Sequence, residues 1–227
     1  MNVLFTKKGL DRKLISQLFG DRYSYDFTEV IKINALTVEP FALKNYSLIF
    51  TSVNGVDSFF DNGFHLNEVF TEKDYNKVYV VGPKTKNALR KRGFGTFKVC
   101  RHAQELSEFL VQNAQGERLL HFCGNLSLDI LDPLRPLQNI QYRKIPVYET
   151  QLLYPKVQTP YDAVVFFSPS GVRSFIAENS IDNKILFTIG HTTQNELEKH
   201  THLPIYASEE SNFQDLMEVI VNRLNKL

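Results

Sequence analysis

The chain has little of what disulfide-bonded, zinc-binding or membrane-spanning proteins require. Its 227 residues include only two cysteines, Cys100 and Cys123, which are too few for a disulfide framework or a zinc site. No apolar run approaches the roughly 20 residues of a membrane-spanning helix. The short apolar run near the amino terminus stops at Lys7 and Lys8, so it does not make a signal-peptide core. These absences predict a cytoplasmic protein with no membrane partner.

An excess of charge of one sign is also lacking. With 26 basic and 25 acidic residues, the formal net charge is +1, so bulk electrostatics gives no support to the binding of a phosphate backbone. The basic run "LRKRG" at 89–93 is short and is typical of a solvated helix end. We therefore expect no nucleic-acid partner.

Several catalytic signatures are missing as well. The sequence has no G-x-G-x-x-G after its first apolar run, no G-x-x-x-x-G-K-[ST] and no G-x-S-x-G, which argues against dinucleotide, P-loop and nucleophile-elbow sites. His200 and His202 have the spacing of an exposed loop rather than of a metal site. Cys123 follows an apolar run and is interpreted as a buried thiol, with a reactive nucleophile as the alternative.

What the chain does have is a repeat. "IFTSVNGV" at 49–56 is similar to "FFSPSGV" at 166–172, and "VYVVGPKTKNAL" at 78–89 is similar to "LFTIGHTTQNEL" at 186–197. Segments 2–19 and 98–113 likewise match 118–134 and 204–223. Because the matches follow the same order in both halves, they indicate an old duplication.

Each repeated segment has the pattern of a short strand, a turn and an amphipathic helix. The strands, such as "SLIFT" and "AVVFF", are apolar runs suited to burial on both faces of a sheet. The helices carry an apolar stripe, as at Phe213, Leu216, Met217 and Ile220. Strands that alternate with helices predict an α/β protein with mostly parallel sheets, in two similar halves.

Two extended stretches, 29–37 and 143–151, lie outside the repeated segments and are interpreted as strands between domains. Two arrangements are open at this point. Either the domains are contiguous, as 1–115 and 116–227, or they are crossed. In the crossed case residues 1–34 join 151–227, and 36–149 form the other domain. Both arrangements contain the same repeated segments, so the pattern alone does not choose between them.

The repeated turns are suited to binding anions. In open parallel sheets, ligands bind beyond the carboxyl ends of strands, where helix N-termini offer unpaired N–H groups and a partial positive charge. The candidate residues in these turns are Ser52, Gly82, Thr85, Ser168, Ser170, Gly171, Gly190, Thr192 and Thr193. Helix capping alone is the alternative, since Ser52 and Ser168 fit N-caps and Thr193 with Glu196 has the spacing of a capping box. Two matched pairs of turns favour a ligand cleft.

Tyr148, in "PVYET", lies on one of the two extended stretches, where a side chain could point into a cleft between domains. Its hydroxyl is a hydrogen-bond donor and, with an ordinary pKa of about 10, a weak general acid. The alternative is an aromatic ring that packs at a hinge.

Six motifs, taken in order, resemble the uroporphyrinogen-III synthase family over nearly the whole chain. They are "IFTSVNGV", "VYVVGPKTKNAL", "LLHFCGNLSLDIL", "IPVYET", "VVFFSPSGVRSF" and "FTIGHTTQNEL". The resemblance implies two similar flavodoxin-like α/β domains with parallel sheets, joined by a two-stranded antiparallel connector, with the active site in the cleft between them. It favours the crossed arrangement, in which residues 1–34 and 151–227 form one domain and 36–149 form the other.

The resemblance also implies a reaction. Members of this family are lyases that close the linear tetrapyrrole hydroxymethylbilane, with loss of water and inversion of ring D, and they need neither cofactor nor metal. Tyr148 matches the family's cleft tyrosine, which is proposed to assist departure of the hydroxyl. Lys7, where relatives often have Arg, is expected at the cleft edge. Val53 and His191 stand where the family usually has Pro. We expect both helix starts to form without it, and only the contacts at the loop of His191 are left open.

A non-catalytic regulator that closes on an anionic metabolite is the alternative function. It would share the fold, the cleft and the anion-binding turns, and neither function demands a nucleophile or a metal. Nothing in the sequence marks a large dimer interface, so we expect a monomer whose partner is its small-molecule substrate.

Overall fold

The apolar strands of the sequence fall into two separate sheets, one in each of two units. The structure, a computed structural model that describes residues 1–67, 69, 72, 75–134 and 139–226, divides by its contacts into Met1–Lys32 with Gln151–Leu227 (unit 1) and Ile33–Thr150 (unit 2). The chain therefore leaves unit 1 once and returns to it once. Among the described residues, no helix combines the length and apolar character needed to cross a membrane.

Eleven strands and seven α-helices make up the described chain. The strands are β1 (Asn2–Phe5), β2 (Ser24–Phe27), β3 (Ile31–Ala35), β4 (Ser47–Phe50), β5 (Val78–Val81), β6 (Lys98–Cys100), β7 (Arg118–Gly124), β8 (Gln141–Leu152), β9 (Ala163–Phe166), β10 (Ile185–Thr188) and β11 (Ile205–Ala207). The helices are α1 (Arg12–Phe19), α2 (Val53–Asp61), α3 (Pro83–Lys91), α4 (Ala103–Asn113), α5 (Pro169–Ile176), α6 (His191–Leu197) and α7 (Phe213–Leu224).

Both sheets are mostly parallel, which confirms the predicted α/β class. Unit 1 has the spatial order β2-β1-β9-β10-β11, which in chain order is 2-1-3-4-5, the order of flavodoxin-like sheets. Unit 2 has the order β8-β7-β4-β5-β6 with β3 at the edge beside β8. The strands β1 and β2 thus take in unit 1 the places that β7 and β8 take in unit 2, so the duplication seen in the motifs recurs in the topology.

The inner strands of each sheet are buried on both faces, and their residues alternate between two helix layers. In unit 2, Leu48 and Phe50 of β4 lie in a core cluster with residues of α2 and α3, whereas Ile49 lies in a second cluster with residues of α4. In unit 1, Val164 of β9 packs with α5 and α6, and Val165 packs with α1 and α7. A sheet covered by helices on both faces needs strands in which consecutive residues are apolar.

The prediction of an amphipathic α-helix after β7 is wrong. Residues Asp129–Leu134 form a short 3-10 helix instead. The matching segment of unit 1, α1, is a regular helix that starts at the N-cap Asp11 and ends at Gly20. The sequence of this segment includes Pro133, and a proline disfavours a continuous α-helix because it has no amide hydrogen to donate.

The stretch predicted as a strand between domains, 143–151, belongs to a longer strand. β8 has 12 residues, and its first half is the fifth parallel strand of unit 2, with residues 141–146 opposite 118–123 of β7. The boundaries between the units fall at Lys32/Ile33 within β3 and at Thr150/Gln151 within β8.

Asn62, at the end of α2, holds the segment that follows β3. Its side-chain amide donates to Leu36 O at 3.0 Å and to Ser58 O at 2.8 Å. Its Oδ1 accepts from the amide of Val38 at 2.7 Å. The bonds with Leu36 and Val38 link the helix to a segment that has no regular structure of its own, and the bond to Ser58 stays within α2.

Asn179, just after α5, makes the same set of bonds in unit 1. Its side-chain amide donates to Pro155 O at 2.7 Å and to Phe175 O at 2.8 Å, and its Oδ1 accepts from the amide of Val157 at 2.9 Å. The segment that it holds follows β8. Asn62 and Asn179 are therefore a matched pair that fixes the chain where it continues from β3 into unit 2 and from β8 into unit 1.

We predict that Asn62→Ala and Asn179→Ala each lower the free energy of unfolding by about 1–3 kcal/mol, because backbone groups lose their partners. Denaturant unfolding measures the loss. Amide hydrogen exchange localises it, at Val38 for the first variant and at Val157 for the second.

Asn113→Ala is the matched control, because the exposed Asn113 on α4 makes one side-chain bond, to Phe109 O at 2.8 Å. It should change the free energy of unfolding by no more than about 0.5 kcal/mol. If all three variants unfold alike, the clamping role of the two asparagines is wrong.

Candidate functional site

The predicted turns all follow the carboxyl ends of parallel strands. In unit 2, β4 leads into α2 at Ser52 and β5 leads into α3 at Gly82. In unit 1, β9 leads into α5 at Ser168, β10 leads towards α6 at Gly190, and the exposed Lys7 follows β1. Since neighbouring strands are parallel, each set of turns lies at one edge of its own sheet. The strand order reverses between β4 and β7 and between β9 and β1, and such switch points are where ligands bind in open α/β sheets.

The two serines are helix N-caps of the same geometry. Ser52 Oγ accepts from the amide of Gly55 at 3.0 Å, and Ser168 Oγ accepts from the amide of Gly171 at 3.0 Å. Ser168 Oγ also lies 3.2 Å from Ser170 Oγ. Both serines are half-buried, so their capping role leaves part of each side chain at the sheet edge.

The second helix of each matched pair begins without a side-chain cap. Gly82 and Gly190 are the N-caps of α3 and α6, with φ of 83° and 85°, a conformation that favours glycine. Neither helix start receives a side-chain cap hydrogen bond, so backbone amides of the first turn face the sheet edge without that partner. The two glycine turns can therefore bind a ligand through backbone amides, whereas the two serine turns can bind one through side-chain hydroxyls.

The threonines in these turns are placed unequally. Thr85 and Thr193 are only 4% and 3% exposed, whereas Thr192 is exposed. The predicted capping box of Thr193 and Glu196 is wrong, because α6 starts at His191 with Gly190 as its cap. Thr193 therefore lies inside the helix, and its hydroxyl is less accessible to a ligand than the sequence implied.

Tyr148 lies against Ser52. The Tyr148 hydroxyl is 3.0 Å from Ser52 Oγ, and the ring packs partly against the core cluster shared by β4, β7 and α2. Burial raises the pKa of Tyr148, and the hydrogen bond with Ser52 offsets part of that rise. Two predicted residues, nearly a hundred positions apart, thus form one hydrogen-bonded pair at the switch point of unit 2, with the phenol protonated at neutral pH.

His121 is a polar residue near this pair that the sequence did not single out. It is 1% exposed in β7, with Nε2 at 2.9 Å from Thr51 Oγ1 and Nδ1 at 2.8 Å from the Tyr142 hydroxyl. Burial lowers the pKa of His121 to about 3, with the nearby charge of Lys144 as a smaller cause. The neutral imidazole holds Thr51, the residue before Ser52, through the hydrogen bond at Nε2. A histidine inside the apolar run "RLLHF" was the only signal in the sequence.

Cys123 does not meet the conditions for a nucleophile. It is 2% exposed, and burial raises the pKa of its thiol above the ordinary value. Reactive cysteines have the opposite combination of exposure and a lowered pKa. The structure therefore favours the buried thiol over the nucleophile.

Glu196 ties α6 to α5 beneath the unit 1 turns. Its carboxylate accepts from Arg173 at 3.0 Å and from Lys199 at 2.8 Å, and His200 Nε2 lies 3.9 Å away. Burial alone would raise the pKa of Glu196, but the bonds with Lys199 and Arg173 outweigh it and the pKa is lowered. The ionised carboxylate is thus favoured in the folded protein.

Comparison with known proteins gives one consistent result. The sequence profile of the family described as uroporphyrinogen-III synthase HemD matches residues 28–218. Among solved structures, the uroporphyrinogen-III synthetase of Helicobacter pylori 26695 is 17% identical with a TM-score of 0.63, and the match covers 98% of this chain and 99% of that one.

Two structures of the uroporphyrinogen III synthase of the extremely thermophilic bacterium Thermus thermophilus are also similar. A mutant form is 14% identical with a TM-score of 0.68, and the match covers all of both chains. The wild-type form is 14% identical with a TM-score of 0.51, covering 100% of this chain and 98% of that one. At these identities, the likeness establishes a shared fold.

We predict that Glu196→Gln lowers stability near neutral pH and that its deficit disappears in acid. Because the folded-state pKa of Glu196 lies below its ordinary value, its contribution is present above that ordinary value of about 4.3 and is lost as the pH falls through the lowered pKa. Denaturant unfolding of both proteins from about pH 7 to about pH 3 measures the difference.

Glu198→Gln is the control on the same helix end, where the exposed carboxylate accepts one bond, from Gln194. Its deficit should stay within about 0.5 kcal/mol at every pH. A Glu196→Gln deficit that is independent of pH would contradict the role of the ionised carboxylate.

Proposed function

The chain belongs to the uroporphyrinogen-III synthase family of cyclising lyases in tetrapyrrole biosynthesis, and from this premise we propose which of its residues carry the reaction. The family profile spans most of the chain, from residue 28 to residue 218. We propose Tyr148 as the proton donor and the strand-end turns as the binding site for the substrate's carboxylates. The hydrogen-bonded pair of Tyr148 and Ser52 is the observation that carries the proposal. No comparison supports the alternative of a non-catalytic regulator.

The reaction sets modest demands on acid–base chemistry. Hydroxymethylbilane loses its terminal hydroxyl as water and becomes an azafulvene, which is attacked by the substituted carbon of ring D. The resulting spiro intermediate fragments and recloses with that ring inverted. Without enzyme, the same molecule closes to the symmetrical isomer. The protein must therefore help one hydroxyl to leave and hold the chain in the orientation that yields the inverted ring.

Tyr148 is suited to the first step. Its hydroxyl would donate a proton to the departing hydroxyl while the carbon–oxygen bond breaks, so that water leaves. Ser52 Oγ accepts from Gly55 and can give its own hydrogen to the Tyr148 oxygen, which frees the phenol proton for the substrate. The same bond stabilises the phenolate until a proton released by the substrate during ring closure restores the phenol.

The turns are suited to the carboxylates. The substrate carries eight, and backbone amides and hydroxyls at helix starts bind carboxylates without a basic surface. We propose as substrate-binding residues Lys7, Ser52, Gly82, Thr85, Ser168, Ser170, Gly171, Gly190, Thr192 and Thr193. The absence of side-chain caps at Gly82 and Gly190 supports this use of the amides, and the burial of Thr85 and Thr193 makes their hydroxyls the weakest members of the set. A net charge of +1 is compatible with such a site.

The domain arrangement belongs to the same proposal. We take unit 1 and unit 2 as the two domains, with β3 and the end of β8 as the connector. Two backbone bonds support antiparallel pairing there, from Leu153 N to Val30 O and from Leu36 N to Val147 O, both 3.0 Å long. Val30 is bonded to Leu153 and the later Leu36 is bonded to the earlier Val147, so the two segments run in opposite directions. A cleft between the domains, and a monomeric enzyme, stay predictions from the family resemblance.

We predict that the purified protein converts hydroxymethylbilane into the isomer with ring D inverted, and that Tyr148→Phe lowers kcat by about 10²-fold or more. Chromatographic separation of the oxidised porphyrin isomers measures both. Formation of the symmetrical isomer alone by the unmodified protein would end the proposal. A Tyr148→Phe variant with unchanged kcat would remove the proton-donor role but not the activity.

We predict that Ser52→Ala and Ser168→Ala differ although each removes an N-cap worth about 1 kcal/mol. Only Ser52→Ala removes a hydrogen bond that lowers the pKa of Tyr148, so only this variant raises that pKa and lowers kcat. Ser168→Ala is expected to act on KM. Titration of proteins with carbon-13-labelled tyrosine, followed by NMR, gives the pKa of Tyr148. Equal titration curves for the two variants would contradict the pairing of Ser52 with Tyr148.

A further inference from the structure

We propose that Gly124 is a positioning residue for Tyr148. The absence of a side chain at this last residue of β7, together with a bulge in β8 opposite to it, sets the Tyr148 hydroxyl against Ser52. The inference rests on the proposed function of Tyr148, and Gly124 acts through that tyrosine rather than through a contact with the substrate.

The bulge explains why Tyr148 faces the helix α2. Cys123 of β7 is opposite Pro146 of β8, but the next residue of β7, Gly124, is opposite Tyr148, so Val147 is an extra residue. Side chains of a regular strand alternate between faces, and a bulge breaks this alternation and re-aims a side chain. Val147 and Tyr148 accordingly pack against the same core cluster although they are adjacent in sequence.

Gly124 then leaves room for the ring. A Cβ at residue 124 would lie against Cε2 of Tyr148, 2.6 Å from Cζ and 3.0 Å from the hydroxyl oxygen. The backbone of Gly124 does not adopt a positive φ, so the glycine is required by space rather than by conformation. Because the contact falls at the hydroxyl end of the ring, any side chain here moves the reacting group itself.

Backbone bonds keep the two strand ends together. A hydrogen bond from the Gly124 backbone to the Tyr148 side chain lowers the pKa of the phenol, in the same direction as the bond with Ser52. The amide of Asn125 donates to Tyr148 O at 3.1 Å, and Asn125 Oδ1 accepts from the amide of Thr150 at 2.8 Å. The turn after β7 is therefore fixed to β8 at the tyrosine and at the residue two positions beyond it.

Unit 1 shows that the fold does not need this arrangement. Val147 O accepts from Leu36 in unit 2, and Val30 O accepts from Leu153 in the matching place of unit 1. The residue after Val30 is Ile31, which has no hydroxyl, yet unit 1 forms the same serine cap and the same sheet order. Unit 1 thus forms its serine cap and its sheet with Ile31 where unit 2 has Tyr148, which points to function rather than to folding.

The test is Gly124→Ala. We expect kcat to fall about 100-fold with a smaller change in KM, because a displacement of about 1 Å at a reacting group has an effect of that size. Proteins labelled with carbon-13 at the tyrosine Cζ give a second readout, with the Tyr148 signal identified by its loss in Tyr148→Phe. When Ser52→Ala is the only substitution, it should move the Tyr148 signal. In Gly124→Ala the hydrogen bond between Tyr148 and Ser52 is already broken, so adding Ser52→Ala should not move the Tyr148 signal further.

A second pair of variants covers the case in which Gly124→Ala folds poorly. Tyr148→Ala removes the ring, so Gly124→Ala/Tyr148→Ala should be as stable as Tyr148→Ala alone in thermal unfolding. If the alanine at residue 124 destabilises the protein equally with and without the ring, the proposed contact is wrong. Unchanged kcat together with an unmoved Tyr148 signal in Gly124→Ala would also overturn the inference.

The same measurements separate this inference from the proposed function. If Tyr148→Phe keeps full activity, the proton-donor role fails, but the NMR signal still reports whether Gly124 places the hydroxyl beside Ser52. If Tyr148→Phe is inactive while Gly124→Ala has normal kcat, the proton donor stands and the positioning role of Gly124 fails.

Discussion

A parallel sheet brings the carboxyl ends of all its strands to one edge, and both units depend on this constraint. Because β4, β7 and β8 are parallel neighbours in unit 2, the cap at Ser52 and the tyrosine of β8 meet at that edge, although the chain between them forms most of the unit. The same constraint places Lys7 near the turn of Ser168 in unit 1. The order of the parallel strands thus brings the proposed binding residues to one edge of each sheet. The register of each strand then determines which side chains lie next to each other there.

Duplication supplied two such edges, and the differences between them indicate which parts serve the chemistry. Both units keep the serine cap, the uncapped glycine turn and the asparagine after the first helix of each pair. Within the described ranges of the chain, a hydrogen bond between a tyrosine and the serine cap is found in unit 2 only. A binding function for a substrate with many carboxylates uses repeated features, since each carboxylate needs a similar partner. The proposed proton donor, Tyr148, is needed only once, and it belongs to unit 2.

The sequence predicted the class of fold and the turns because apolar periodicity and helix-start residues are local signals. The 3-10 helix could have been predicted too, since Pro133 stands inside the segment that was expected to be helical. The contact between Tyr148 and Ser52 could not, because it depends on the register of β8 and on a bulge with no signature of its own. The capping box at Thr193 failed because Gly190 ends the turn earlier, and burial of that threonine is a tertiary effect.

The charge states at the site agree with a reaction whose substrate is already reactive. Burial keeps the His121 imidazole neutral and the Tyr148 phenol protonated. A strong acid or a fixed cation at this place would speed departure of the hydroxyl, but it would also attract a carboxylate of the substrate to the wrong position. In the proposed mechanism, a neutral donor between a serine and a glycine would provide the proton, while the helix starts would bind the carboxylates. Orientation, rather than acid strength, is then what decides which isomer forms.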